Sequence, residues 1–280
     1  MPKERRRLDA VLVERGLAPS RERAKELIAG GYVTVDGRPA SKPSQTVGEK
    51  AELCCDSRTL RYVGRGGYKL EKALTLYDLP LAGAVAMDVG ASTGGFTDCM
   101  LQNGAGTVYA IDVGHGQLHE SLRANPRVRN LEGIDIRNTE RIREFIGESS
   151  VLFCSIDVSF ISVKSIFPSI LPFLQDGAFL ACLIKPQFEA GRQAIGKNGV
   201  VKDRRAHERV LSEMGALFST HHCRLHRLDY SPIPGGEGNI EYLAILEYRP
   251  QEGCPPAVTA AEAASAVAAA HAALRGRGAR

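Results

Sequence analysis

The segment Asp88-Val89-Gly90-Ala91-Ser92-Thr93-Gly94-Gly95-Phe96 has the residue types and spacing of a small-molecule cradle. The apolar run before it (Val85, Ala86, Met87, Val89) predicts a buried parallel strand, and a helix is expected from Phe96 to Asn103. A glycine-rich turn between strand and helix lets backbone N–H groups approach a nucleotide-like ligand, with the helix N-terminus behind them. The glycines fall as G-x-x-x-G-G rather than the G-x-G-x-x-G of dinucleotide binders, so pyrophosphate is not the expected guest. S-adenosylmethionine (SAM) suits the turn, because its amino-acid end carries a carboxylate that backbone donors can hold. Asp112 ends the next apolar run, Val108-Tyr109-Ala110-Ile111, where it can accept from a ribose diol, and Asp135 follows the run 128–134. The candidate cofactor residues are therefore Asp88, Gly90, Ala91, Ser92, Thr93, Gly94, Gly95, Phe96, Asp112 and Asp135.

Two further polar residues end apolar runs. Asp157 closes Leu152-Phe153-Cys154-Ser155-Ile156, and Lys185 closes Phe179-Leu180-Ala181-Cys182-Leu183-Ile184 and precedes Pro186. Each alone reads as a solvated strand terminus. A carboxylate and an ammonium at the same sheet edge as a SAM turn point instead to chemistry. The segment Glu189 to Asp203 follows, with Gly191, Gly196 and Gly199 among Arg192, Lys197 and Lys202; it reads as a long, flexible, cationic loop expected to close over RNA.

These residues need a sheet to hold them. From Gly67 to Arg249 apolar runs alternate with helical patterns, which predicts an α/β domain with a doubly wound, mostly parallel sheet. The expected strands are Val85–Val89, Thr107–Val113, Val151–Val158, Ala178–Ile184 and Tyr242–Tyr248, with another ending near Asp135. Ligands of such sheets sit beyond the carboxyl ends of the strands. Residues 1–60 read as a separate small α+β module. Leu8, Val11 and Leu12 mark one helix; Ser20 caps a second carrying Ala24, Leu27 and Ile28, which ends at Gly30-Gly31; and Tyr32–Val35 meets an Asp36-Gly37 turn. Its cations, Arg5, Arg6, Arg7, Arg21, Arg23, Lys25 and Lys42, are candidate phosphate contacts, interleaved with Glu4, Asp9, Glu14, Glu22 and Glu26. Arg65, in a linker over 61–66, and Arg192 and Lys197 join them as candidate RNA contacts.

Composition bounds the rest. The 280 residues accommodate a large and a small domain, and a net charge of +4 is only mildly basic. Seven cysteines without framework spacing read as reduced thiols. With no apolar run near the roughly 18 residues of a membrane span, and no apolar region behind the basic N-terminus, a cytoplasmic location is expected. No metal-ligand spacing is present, so no metal is expected; His221-His222 read as surface residues at a helix end.

Resemblance sharpens this reading. Arg7-Leu8-Asp9-x-x-Leu12, Ser20-Arg21-x-x-Ala24 and Gly31-x-Val33-x-Val35-x-Gly37 resemble the RNA-binding module of ribosomal protein S-four and of pseudouridine synthases. Tyr68-Lys69-Leu70, Asp157, Lys185-Pro186 and Glu241 match the Lys-Asp-Lys-Glu set of the FtsJ-like RNA ribose 2′-O-methyltransferases; nothing in the residues alone selects Lys69 or Glu241. To about Arg249 the whole chain resembles the TlyA (hemolysin A) family, with Gly90–Phe96 and Ile184–Glu189 as signatures. The resemblance implies a Rossmann-like SAM-dependent methyltransferase that modifies cytidine in 16S or 23S ribosomal RNA. It implies Lys69, Asp157, Lys185 and Glu241 as the catalytic set, and ribosomal subunits as partners without an obligate protein partner. Lys185, with the SAM sulfonium nearby as a like charge opposing its protonation, is the expected base. A non-catalytic, RNA-binding assembly factor and a cytolysin are the competing readings. The alanine-rich segment 250–280 lies outside the resemblance and is expected to be a frayed helix or disordered.

Overall fold

The computed structural model describes residues 6–29, 32–40, 42–55, 61–196, 199–235 and 238–275. The chain divides into two compact units, Met1–Arg61 and Tyr62–Arg280. In the first, β1 (Arg6–Arg7) leads into α1 (Leu8–Glu14) and α2 (Arg21–Ala29), followed by β2 (Val33–Val35), β3 (Arg38–Pro39), β4 (Thr46–Val47) and β5 (Leu53–Cys55). Strand β2 pairs antiparallel with β3 and β5, and β1 with β4. Asp36 and Gly37 both take positive φ, 50° and 75°, the conformation a tight two-residue hairpin turn demands. Leu8, Leu12, Ala24, Leu27 and Val33 are fully buried between the helices and the strands. Gly30-Gly31 and Arg5 lie outside the described residues.

The second unit runs α3 (Gly66–Leu76), β6 (Val85–Val89), α4 (Gly95–Gln102), β7 (Thr107–Asp112), α5 (Glu120–Arg123), β8 (Val128–Glu132), α6 (Thr139–Ile146) and β9 (Val151–Ile156). It continues through α7 (Val163–Ile170), β10 (Leu174–Ile184), α8 (Pro186–Glu189), α9 (Arg204–Thr220), β11 (Cys223–Tyr230), β12 (Tyr242–Tyr248) and α10 (Ala260–Arg275). Seven strands form one sheet in the order β11-β12-β10-β9-β6-β7-β8. The pairs from β10 to β8 are parallel, and β12 runs antiparallel to both β10 and β11. Strand β11 had no counterpart among the expected strands: its sequence, with Arg224, His226, Arg227 and Asp229, lacks a continuous apolar run because it is an edge strand.

Alternate residues of each central strand feed opposite cores. Met87, Val89, Ile111, Cys154, Ile156, Cys182 and Ile184 face α6, α7, α9 and α10, whereas Ala86, Val108, Ala110, Phe153, Ala181 and Leu183 face α3, α4 and α5. The chain steps from β6 out to β7 and β8, then returns to β9 and β10 on the other side. The crevice between the ends of β6 and β9 is therefore the switch point where a ligand is expected.

The C-terminal segment, expected to be a frayed helix or disordered, carries a helix over Ala260–Arg275. Helix α10 packs on α9 and β11, burying Ala263, Val267 and Ala270. Small side chains let the helix approach closely, so modest apolar bulk suffices. Its start is fixed by a capping box: the Thr259 amide donates to Glu262 Oε2 at 2.8 Å and the Glu262 amide donates to Thr259 Oγ1 at 3.2 Å. The Thr-x-x-Glu spacing was the overlooked sequence signal.

Candidate active site

The turn predicted to hold a ligand is built as strand, loop and helix. Its first amides are already engaged: Gly90 and Ala91 donate to the Ile111 carbonyl, and Ser92 donates to Asp112 Oδ2 at 2.8 Å. Asp112 Oδ1 accepts from the Gly114 amide at 2.7 Å, so this carboxylate both ties the turn to the end of β7 and borders the crevice. Gly90 has φ +86°, and a Cβ there would lie 2.6 Å from the Asp157 carbonyl oxygen; only glycine allows β6 and β9 to end so close together.

Two adjoining cavities share Gly90, Ser92, Asp157, Ser159 and Phe160. The smaller, about 350 Å³, lies between the apolar side chains of Val113, Ile134, Ile136 and Ile166, with Asp112 and Asp135 on its lining. The larger, about 740 Å³, is lined by the turn residues Gly90–Thr93, Gly95 and Phe96, by Lys69, Lys185 and Glu241, and by Arg65. Of the turn residues, Asp88 and Gly94 line neither cavity. Asp88 is buried beneath the turn, accepting from Thr97 Oγ1 at 2.6 Å and Ser155 Oγ at 2.8 Å, and burial pushes its carboxyl up to about 6 against the pull of those two bonds. Its carboxylate braces the turn from below. Gly94, at φ +95°, takes the left-handed conformation that favours glycine, with the Leu122 and Leu118 side chains packed close beside it. Asp135 holds the Arg137 guanidinium, which keeps its carboxyl below the usual range despite burial.

The four residues expected to act together do meet. Lys69 Nζ donates to Glu241 Oε2 at 2.7 Å and to Asp157 Oδ2 at 3.3 Å, and Lys185 Nζ lies 2.6 Å from Asp157 Oδ1. The result is an alternating row, Glu241–Lys69–Asp157–Lys185, with charges that cancel. Topology produces it. Because β12 is antiparallel to β10, with Ile184 opposite Tyr242, the residue after β10 (Lys185) and the residue before β12 (Glu241) arrive at the same edge. Asp157 follows the neighbouring β9, and Lys69 reaches in from the first turn of α3. Burial pushes the Lys69 ammonium down, but Asp157 and Glu241 outweigh it and hold its pKa above the ordinary value. Burial likewise pushes Asp157 up, yet Lys69 and Lys185 hold its carboxyl below the usual range.

Residues without an assigned role in the sequence complete the site. Lys185 Nζ donates to Ser159 Oγ at 2.9 Å. Phe160 has φ +66°, is 93% exposed, and stands beside Phe188 with ring centroids 5.4 Å apart. A bulky side chain in a left-handed conformation is held by its surroundings: Glu189 caps α7 by accepting from Ser162 Oγ and the Val163 amide, tying this loop to α8. The segment from Glu189 to Asp203 is anchored rather than loose at its far end. Asn239 Nδ2 donates to the Gly199 carbonyl, the Val201 amide donates to Asn239 Oδ1, and His207 Nε2 bonds the Val201 carbonyl. Arg192 and Lys202 are exposed, and Lys197 lies outside the described residues.

In the N-terminal unit several expected RNA contacts are engaged internally. Arg7 grips the buried Asp9 through two bonds of 3.0 Å and Arg21 through a third, which together hold Asp9 far below the usual carboxylate range. Arg6 pairs with Glu14, and Lys25 with Glu22. The Arg-Leu-Asp and Ser-Arg signatures are thus partly a fold-holding clamp, although Arg7 and Arg21 remain about half exposed. Arg23 is half-buried and Lys42 exposed. Among the described residues no group of three or more His, Cys, Asp or Glu side chains is placed to hold a metal ion, and no helix is long and apolar enough to cross a membrane.

Comparison with known proteins agrees with this architecture. Residues 62–248 match the FtsJ-like methyltransferase family and residues 6–53 the S4 domain. Bacillus subtilis YqxC, which carries a provisional rRNA methyltransferase name, is 43% identical over 253 residues, 90% of this chain and 89% of its own. The 16S/23S rRNA (cytidine-2′-O)-methyltransferase TlyA of Mycobacterium tuberculosis is 41% identical over 243 residues, 86% of this chain and 90% of its own. A solved Streptococcus thermophilus structure with a provisional hemolysin name superimposes with a TM-score of 0.78 at 41% identity, covering 99% of both chains. An S4 domain joined to a switch-point sheet carrying the Lys69–Asp157–Lys185–Glu241 row, matched over nearly its whole length by such relatives, establishes that this chain belongs to the TlyA family of FtsJ-like methyltransferases.

Proposed function

We propose that this protein transfers a methyl group from SAM to the ribose 2′-hydroxyl of cytidine in ribosomal RNA, acting in the cytoplasm. The observation that carries the reading is the buried, alternating Lys–Asp–Lys–Glu row on the wall of the larger cavity, beside a smaller cavity lined by apolar side chains and by Asp112 and Asp135. The smaller cavity fits the adenosyl group: apolar side chains on its walls suit a flat purine, and each Asp112 oxygen, holding one backbone N–H, keeps a lone pair for a ribose hydroxyl. The start of α4, with Thr93, Gly95 and Phe96 on the larger cavity, would take the carboxylate end. Bound there, SAM supplies an electrophilic methyl carbon.

The chain's own task is to present the attacking hydroxyl and to remove its proton. Lys69, pinned by two carboxylates, stays an ammonium and orients the Asp157 carboxylate. Lys185 has one carboxylate neighbour and accepts the hydroxyl proton at Nζ when uncharged, a role that positioning makes effective. Phe160 offers its exposed ring to the target base, and Arg65, Arg192 and Lys202 contribute cations for the phosphates. The S4 domain docks structured RNA.

The test is incubation of the full chain with radiolabelled SAM and separated 30S and 50S subunits from a strain lacking the enzyme, followed by nuclease digestion and mass spectrometry. Label in 2′-O-methylcytidine is expected. SAM binding without label in either subunit would overturn the assignment of ribosomal RNA as substrate.

A further inference from the structure

The hydroxyl of Ser159 occupies a position that the Lys-Asp-Lys-Glu row does not explain. It lines both cavities, stands exposed two residues beyond Asp157, and accepts from Lys185 Nζ at 2.9 Å. On the other side, Lys185 Nζ lies 2.6 Å from Asp157 Oδ1. The lysine stem is buried, with 7% of the side chain exposed, and Nζ stands 6.0 Å from the centroid of the Phe188 ring.

A lysine amine has tetrahedral nitrogen. As an ammonium it has three N–H bonds; as a free amine it has two N–H bonds and a lone pair. Ser159 Oγ takes one N–H and fixes rotation about the Cε–Nζ bond. Of the two positions then left on nitrogen, the Asp157 carboxylate, an ion-pair partner 2.6 Å away rather than an aligned hydrogen-bond acceptor, repels the lone pair, which leaves it a single direction. That direction is set by the protein rather than by rotation about the Cε–Nζ bond. Asp157 alone cannot do this, because its 2.6 Å contact with Nζ lacks hydrogen-bond alignment and does not fix that rotation. We propose that Ser159 is a positioning residue for the methyl transfer, fixing the Lys185 amine so that its lone pair faces the larger cavity where the ribose hydroxyl would lie.

The proposal rests on the methyltransferase reading above. In the step it serves, the ribose oxygen forms its bond to the methyl carbon as the carbon–sulfur bond breaks with its electron pair on sulfur. The hydroxyl proton passes to Lys185 Nζ, which becomes an ammonium hydrogen-bonded to Ser159 and ion-paired with Asp157. The serine itself exchanges no proton. Two features favour a purpose-built arrangement over an incidental bond. The loop bearing Ser159 is fixed by the Glu189 cap on α7, and Glu189 belongs to the same Lys185–Glu189 segment as the lysine. The following residue, Phe160, takes the left-handed backbone that this loop path requires.

The groups around Lys185 set the controls. Asp157 follows β9, Lys69 projects from α3, Glu241 precedes β12, and Phe188 and Glu189 lie on α8. None is altered in the test. Ser159→Ala and Ser159→Thr are compared in the full chain, the threonine retaining a hydroxyl at an exposed position. For Ser159→Ala, kcat is expected to fall at least about tenfold while SAM affinity and the KM for RNA stay within about twofold; Ser159→Thr is expected to retain kcat within about threefold. A second readout needs no turnover. In protein carrying ¹⁵N-labelled lysine, the Lys185 ammonium resonance, assigned by its loss in Lys185→Met, is expected to show slow proton exchange with water in the wild type and Ser159→Thr, and fast exchange in Ser159→Ala.

Wild-type kcat in Ser159→Ala would overturn the proposal. So would equal impairment of the threonine and alanine variants, a parallel loss of SAM affinity (which would make Ser159 a cofactor contact), or unchanged ammonium exchange in Ser159→Ala. If the wild type methylates no RNA, the function reading fails on its own account, and the exchange measurement still decides whether Ser159 fixes Lys185.

Discussion

Lys69 and Glu241 are separated by 172 positions in the chain yet lie 2.7 Å apart, with 10% and 3% of their side chains exposed. Their coupling is open to a double-mutant cycle with Lys69→Met and Glu241→Gln. Removing one member of a buried pair leaves an uncompensated charge and costs about 3–5 kcal/mol. The two single variants are not equivalent. Lys69→Met leaves Glu241 without its cation, so the full penalty is expected. Glu241→Gln leaves Lys69 with Asp157 at 3.3 Å and a glutamine oxygen that can still accept, so about 1–3 kcal/mol is expected. In the double variant Asp157 and Lys185 remain a matched pair, and the combined cost should fall short of the sum by about 2 kcal/mol. Urea unfolding followed by near-UV tyrosine signal suits this chain: it has no tryptophan, and seven of its eight tyrosines lie from Tyr62 onward. Because the Lys69 pKa is raised, its contribution is fully present below the unfolded lysine value of about 10.4 and is lost only as pH rises through the higher folded value. The coupling should therefore be the same at pH 6 and pH 8. Additive single-variant costs, to within about 0.5 kcal/mol, would refute the buried row as a coupled unit.

Three other outcomes are expected. Asp88 has a folded pKa of about 6, above its unfolded value, so its burial cost is full above that pH and is relieved as pH falls toward about 4; the stability of the wild type relative to Asp88→Asn should rise by about 1–3 kcal/mol between pH 8 and pH 4 in urea unfolding, and a flat difference would sink the argument. Phe160→Ala should weaken productive RNA binding by the worth of one base stack, about 1–3 kcal/mol, with SAM affinity by calorimetry unchanged; a parallel loss of SAM affinity would show the ring to be a wall of the cofactor pocket. Neutralising the exposed Arg192 and Lys202 together should lower the slope of log affinity against log salt for RNA by about 1–2 without changing SAM binding, and an unaltered slope would remove this segment from the RNA interface.

Much of this protein is written locally in its sequence. The run Val85–Val89 followed by a glycine turn determines a buried strand and a close-approach loop, since a Cβ at Gly90 would meet the Asp157 carbonyl. Asp157 and Lys185 were visible because a charge closing an apolar run must lie at a sheet edge. The capping box at Thr259 was equally local, as was the alanine content that favoured a helix behind it, but not the packing on α9 and β11 that anchors that helix. What no local pattern contained was company. Lys69 sits in an ordinary amphipathic helix and Glu241 beside a glycine-containing loop; they matter because the antiparallel β12 brings Tyr242 opposite Ile184 and so delivers Glu241 to the edge where Lys185 emerges. The sequence also could not separate cations that face solvent from those that clamp Asp9, nor foresee that Asp88 turns beneath the cradle rather than into it. Residue type and spacing determine which elements form and which charges lie at their ends; the order and direction of the strands decide which of those charges meet, because ionic contacts of about 3 Å between residues far apart in the chain exist only once the sheet has set its register.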